Sequence, residues 1–285
     1  MKTRVISGIV AALIGVVAIS QYYSVFFDIA ALAVYGIAVF EIYRAFKEGN
    51  SKTSTGLLIV VGALILFNSY NDINLIAIAI AFTVVAVFIV VFDFEKIIFT
   101  SIASSIVFSG YVLFCINNIL RLKHIMPIEL YGYDAAFLVI LCGGIAWGGD
   151  IMAYFSGYLF GKHKMAPKLS PKKTIEGAVG GIIGSVVIAL GMTYIYGLTP
   201  YAQNSIVADI GENWILLAVF AAMGSFVGIV GDLFASAVKR QQGIKDYGNI
   251  MPGHGGVLDR FDSFFLVTVI ISLMADFIVL SNGVV

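Results

Sequence analysis

The chain is built from long apolar blocks separated by short polar ones. A helix needs about 20 apolar residues to cross the hydrocarbon of a bilayer, within a working range of roughly 17–25. Nine segments are candidate spans: 5–20, 25–43, 55–70, 73–92, 97–119, 134–160, 175–198, 213–238 and 263–281. The third is short, and the second carries Asp28 near its start. Within the segments apolar residues run continuously, without the alternation of a membrane β-barrel strand. The pattern predicts an all-α polytopic membrane protein of about nine transmembrane helices.

Composition agrees with the pattern. Of the 285 residues, 60% are hydrophobic and 12% charged, where a soluble domain has about 45–50% apolar and roughly 25% charged residues. The solvent of this chain is lipid. A net charge of zero leaves no electrostatic footprint for nucleic acid. Cys115 and Cys142 both fall inside apolar runs, so they read as packed small hydrophobes and not as a disulfide or a metal-binding pair. The opening MKTRVISGIVAALIGVVAIS has the ingredients of a secretory signal: Lys2 and Arg4 ahead of an apolar stretch, and a weak cleavage site at Ala18-Ile19-Ser20. The expected reading is a retained first helix.

Lysine and arginine set orientation, because cytoplasmic loops carry their excess. With the N-terminus in the cytoplasm and nine alternating spans, all of the 17 basic residues except Arg121 and Lys123 fall on the cytoplasmic side. The C-terminus is then outside. The first part of the chain, 1–130, reads as a scaffold of N-terminal and middle helices that also offers dimer contacts. The rest, 131–285, reads as the catalytic region with two long cytoplasmic loops, GKHKMAPKLSPKKT (161–174) and KRQQGIKDYGNIMPGHGGVLDRFD (239–262). Glycines at small-xxx-small spacing (Gly177 and Gly181, Gly180 and Gly184, Gly224 and Gly228) are expected to let spans seven and eight pack closely.

Two carboxylates, Asp150 in span six and Asp232 in span eight, stand out within apolar runs. Charge in hydrocarbon costs at least about 2.5–3.5 kcal/mol, so such groups usually face a polar cavity and mark function. Asp232, Ser236, Lys239 and Arg240 share one helix face, as do Asp150, Tyr154, Gly157 and Gly161. Asp259 and Asp262 are i, i+3 at the start of span nine. Asp232, Asp259 and Asp262, expected near one depth on two adjacent helices, are what a hard divalent cation takes. Mg²⁺ binds oxygen, typically one or two carboxylates plus waters and substrate phosphates. The cations around them, Lys239, Arg240, Lys245, Arg260, Lys172 and Lys173, suit anionic ligands. Gly253, Gly255 and Gly256 can bring backbone N–H groups against a phosphate, and His254 between them reads as a polar site residue. Lys162, Lys164 and Lys168 read equally well as phosphate partners or as a mere topology signal or attraction to anionic lipid. The residues thus point to a Mg²⁺-dependent, phosphate-handling site on the cytoplasmic face, open to the lipid, without naming a substrate.

The stretch from Gly231 to Asp262 closely resembles the signature of the phosphatidate cytidylyltransferases, also called CDP-diacylglycerol synthases. That signature runs S-x2-K-R-x4-K-D and ends in P-x-H-G-G-x-x-D-R-x-D. Ser236, Lys239, Arg240, Lys245, Asp246, Gly248, Pro252, His254, Gly255, Gly256, Asp259, Arg260 and Asp262 match it. Met251 stands where another aliphatic residue is more usual. Residues 149–177 resemble the family's second block through Asp150, Ala153, Tyr154, Gly157, Gly161, Lys162, Pro171, Lys172, Lys173, Thr174, Glu176 and Gly177. The first 130 residues match only as a set of apolar spans.

The resemblance implies conversion of CTP and phosphatidic acid to CDP-diacylglycerol and pyrophosphate. It implies Asp232 and Asp259 as metal ligands with Asp262 and Asp246 next, and Lys239, Arg240, Lys245, Lys172 and Lys173 as phosphate partners. Ser236, Arg260, Thr174, Asp150, Gly255 and Gly256 complete the expected substrate site, with His254 among the catalytic residues. Mg²⁺, room for a second cation, a homodimer and a bacterial inner-membrane location come with the family. Two alternatives fit less well. A CDP-alcohol phosphotransferase would carry DG-x2-AR, whereas Asp232 is followed by Leu-Phe-Ala-Ser. An ion-coupled transporter would show internal repeats and midplane charges, and neither is found.

Overall fold

The computed structural model describes residues 2–46, 52–67, 75–92, 98–209, 214–253 and 255–281. The helices in chain order are α1 (Lys2–Ser20), α2 (Val25–Ala45), α3 (Lys52–Phe67), α4 (Leu75–Phe92), α5 (Phe99–Ile125), α6 (Ile128–Tyr131), α7 (Asp134–Gly143), α8 (Gly149–Phe160), α9 (Ile175–Gly197), α10 (Ile206–Asp209), α11 (Trp214–Gln241) and α12 (Leu258–Ser281). Among the described residues, six segments are long and apolar enough to cross a membrane: α2, α5, the continuous α7–α8 segment, α9, α11 and α12. Shorter apolar stretches lie in α1 and α3. Large apolar side chains such as Ile215, Leu280 and Val107 stand on the outside, as a lipid solvent allows and water does not. The architecture is that of an all-α membrane protein.

Helix ends depart from the sequence expectation where charged residues find partners. The fifth span was expected to stop at residue 119, ahead of Arg121, yet α5 continues to Ile125. Arg121 is accommodated because its guanidinium forms a two-pronged pair with Asp276, at 2.8 Å for both bonds. The ninth span was expected from residue 263, yet α12 begins at Leu258, because a buried acid caps its first N–H groups as described below.

The chain divides into two compact units. One comprises Met1–Leu120 and Lys239–Arg260, the other Arg121–Val238 and Phe261–Val285. In the second unit, Gly144–Gly148 forms a π turn that joins α7 to α8 without breaking the helix, directly before Asp150. Such turns carry one extra residue and re-aim the side chains that follow. The glycines of α9 pack on α8: a Cβ at Gly181 would lie 2.9 Å from the Ala153 Cβ, and one at Gly177 would lie 2.8 Å from the Ala153 carbonyl. Gly224 and Gly228 of α11 instead face Val267, Ile270 and Ser263 of α12. The loop 161–174 is not plain coil. Strands β1 (Lys164–Ala166) and β2 (Ser170–Thr174) pair antiparallel, Ala166 opposite Ser170. Pro167 and Pro171 each push the preceding residue toward extended backbone, and those two residues are the ones that pair.

Candidate active site

In the first unit the site is built on the end of α11 and the loop after it. The helix closes with the Ile244 N–H bonded to the Lys239 carbonyl at 3.0 Å and the Gly243 N–H to the Arg240 carbonyl at 3.2 Å. Gly243 has φ +64°, the left-handed position that this closure reserves for glycine. Lys239 and Arg240 therefore occupy the last turn, where positive charge complements the helix dipole. Lys239 turns inward. Its Nζ lies 2.8 Å from Asp259 Oδ1 and 5.4 Å from the centroid of the Tyr247 ring. The Asp259 carboxylate also accepts the Tyr247 N–H at 2.8 Å and the Gly256 N–H at 3.0 Å. Its side chain is 3% exposed and that of Lys239 12%, so the pair is withdrawn from solvent and each charge depends on the other.

The loop between them folds on a tight turn in which the Met251 N–H bonds the Gly255 carbonyl at 3.0 Å. Gly253 and Gly255 adopt φ +79° and +90°, which side chains rarely tolerate. The turn, Lys245, Asp246, Asn249 and Arg260 line a cavity of about 460 Å³, within the range of small-molecule sites. His254 lies outside the described residues.

The second unit holds the remaining candidates. Asp232 Oδ2 forms an ion pair with Lys173 Nζ, and Oδ1 accepts from the Ser236 hydroxyl at 3.5 Å, the i, i+4 partner on its own helix. Lys173 is delivered by β2, whose neighbour Lys172 is exposed. The Thr174 hydroxyl is spent on capping α9, accepting the Gly177 N–H at 3.1 Å. The Asp150 carboxylate accepts from Ser263 Oγ at 3.2 Å. Asp262 Oδ1 accepts the Ser263 N–H at 2.8 Å, and a Cβ at Gly231 would lie 2.6 Å from the Asp262 carbonyl. That glycine brings α11 and α12 together beside Asp232 and Asp262.

Residues 2–278 match the model of the cytidylyltransferase family. The chain belongs to the cytidylyltransferase family. It is 31% identical over 279 residues, 94% of each chain, to the phosphatidate cytidylyltransferase of Bacillus subtilis (strain 168). The enzyme of that name from Staphylococcus aureus (strain COL) is 42% identical over 131 residues, 46% of this chain and 45% of the relative. That of Haemophilus influenzae is 37% identical over 151 residues, 52% of this chain and 48% of the relative. The cytidylyltransferase is thus an enzyme of nucleotidyl transfer set in a membrane.

Within this cytidylyltransferase, each of the two central aspartates holds a lysine: Asp259 with Lys239 and Asp232 with Lys173. In each pair an acid and a base stand side by side. Among the described residues, no three His, Cys, Asp or Glu side chains converge on a common point. Mg²⁺ asks less than that of a protein, since waters and substrate phosphates complete its octahedron, and carboxylate oxygens are the donors it prefers.

One residue of this neighbourhood escaped the sequence reading. Asp150 and Asp232 were singled out within spans and Asp28 was noted, yet Glu41 of α2 also lies inside the predicted second span and is 1% exposed. Its carboxylate accepts the Val257 N–H at 3.0 Å and the Leu258 N–H at 2.9 Å. The signal was present as an acid in an apolar run, but nothing local to it names a partner 216 residues away.

Proposed function

We propose that this cytidylyltransferase converts CTP and phosphatidic acid to CDP-diacylglycerol and pyrophosphate. The observation that carries the reading is the end-to-end similarity to the Bacillus subtilis phosphatidate cytidylyltransferase, joined to the paired lysines and aspartates of the signature segments. A phosphate oxygen of the lipid attacks the α-phosphorus of CTP, the bond from that phosphorus to the oxygen bridging to the β-phosphorus breaks, and pyrophosphate departs with that oxygen. The attacking phosphate is already ionised at neutral pH, so no strong base is required and catalysis rests on positioning and charge neutralisation. Lys239, Arg240, Lys245, Arg260, Lys172 and Lys173 supply positive charge to the triphosphate and the lipid phosphate.

By the family resemblance Asp232 and Asp259 would hold Mg²⁺, with Asp262 and Asp246 next, and a second cation belongs to the same proposal. Bound there, the metal supplies neutralisation of phosphate charge. All nine apolar segments cross the membrane in this proposal, with the N-terminus and both long loops in the cytoplasm, where CTP is dissolved. In the same proposal it works in a bacterial membrane as a homodimer, with catalytic residues from 131–285 on a scaffold of 1–130. Purified protein given Mg²⁺, CTP and phosphatidate in mixed micelles is expected to release pyrophosphate and form CDP-diacylglycerol. Absence of any CTP-dependent product would overturn the reading.

A further inference from the structure

We propose that Glu41 is a positioning residue that sets the backbone leading into Asp259 and Arg260; the role rests on the proposed reaction for its consequence, though not for its geometry. A helix leaves its first N–H groups without partners, and a Ser, Thr, Asp or Asn just ahead of it normally supplies the acceptor. The segment Gly255-Gly256-Val257-Leu258 has no such side chain. The acceptor comes instead from α2. Three consecutive N–H groups are taken in order: Gly256 by Asp259, then Val257 and Leu258 by the two oxygens of Glu41. The loop also closes on this acid from two points, because a Cβ at either Gly248 or Gly256 would collide with the Glu41 carboxylate. Those glycines are therefore spaces kept for Glu41.

Other helices of the same unit hold the same loop more lightly. Ser7 of α1 donates to the Pro252 carbonyl at 3.0 Å, and Phe108 of α5 lies 5.7 Å, ring to ring, from Tyr247. Glu41 differs in touching the two residues that directly precede Asp259. It fixes where the Asp259 carboxylate meets Lys239 and where Arg260 borders the cavity. A glutamine in its place offers one acceptor and one donor to two N–H groups, so one contact becomes a repulsion.

The test compares wild type, Glu41→Gln and Gly248→Ala, purified in detergent, by two readouts. Glu41→Gln is expected to lower kcat/KM for CTP by about 10–100-fold, the range found when groups supporting metal ligands are removed. It is also expected to speed tryptic cleavage after Lys245 several-fold with substrates absent. Gly248→Ala keeps the acid but crowds it, and is expected to shift both readouts in the same direction. Glu41→Gln or Gly248→Ala protein whose folded fraction keeps wild-type kcat/KM and wild-type cleavage overturns the role. If the wild type shows no CTP-dependent turnover, the proposed reaction fails, while the cleavage rates still decide whether Glu41 holds the loop.

Discussion

The Asp259 carboxylate takes an ammonium and two backbone N–H groups, and substitutions disturb these in separable ways. Asparagine keeps an oxygen for the backbone but leaves the Lys239 ammonium buried without its counter-charge. Breaking a buried pair on one side costs about 3–5 kcal/mol, so Asp259→Asn is expected to lower the thermal midpoint. It is also expected to reduce CTP-dependent pyrophosphate release by at least about 100-fold, the scale of losing one essential charge contact. Adding Lys239→Met removes the orphaned charge, and the midpoint should recover while activity does not. Recovery of activity in the double variant would show that the aspartate serves only to balance the lysine. At this scale Asp259, Lys239, Asp232 and Ser236 were all legible in the sequence, because helical spacing and local charge name them. The pairing of Asp232 with Lys173 was not, since the two residues belong to different elements.

Between elements, glycine decides how closely helices approach. The spacing of Gly177, Gly181 and Gly184 announced close packing on α9, but period alone carries no information about the partner, which proves to be α8. A side chain at Gly181 would meet the Ala153 Cβ and, at 3.1 Å, the Gly149 carbonyl, neither of which can swing away. Gly181→Val is therefore expected to destabilise by at least about 1–3 kcal/mol, as overpacking does. Gly191 of the same helix has nothing within 4 Å of an added Cβ, so Gly191→Ala is expected to be neutral or to stabilise by up to about 1 kcal/mol through helix propensity. Thermal melts of both variants in one detergent check the contrast, and equal losses would refute the packing assignment. The hairpin of the first loop was invisible to the span reading because its strands are far shorter than any periodicity can resolve.

For the whole molecule, the proposed orientation makes a labelling experiment decisive. Asn204 and Asn249 are both exposed and fall on opposite sides of the proposed topology. The native Cys115 and Cys142 are buried at 0% exposure, so they add little background. In intact cells, a membrane-impermeant maleimide is expected to label Asn204→Cys, and to reach Asn249→Cys only after the membrane is opened. The reverse pattern would invert the topology. Family membership belongs to this scale too. The resemblance was read from two segments of the C-terminal half, whereas the match covers residues 2–278.

By itself the sequence determined the solvent, the helical class, the positions of the long apolar segments and the residue types gathered in the two long polar loops. Each of these is local: a run of apolar side chains, a spacing on one helix, a cluster of charge. Tertiary structure alone decided that α12 starts at Leu258, that α5 carries Arg121 inside the helix, and that an acid in α2 caps the segment ahead of Asp259. In all three a charged or hydrogen-bonding group is satisfied by a partner far along the chain. Burial makes such partnerships obligatory, but only the folded backbone chooses the partner.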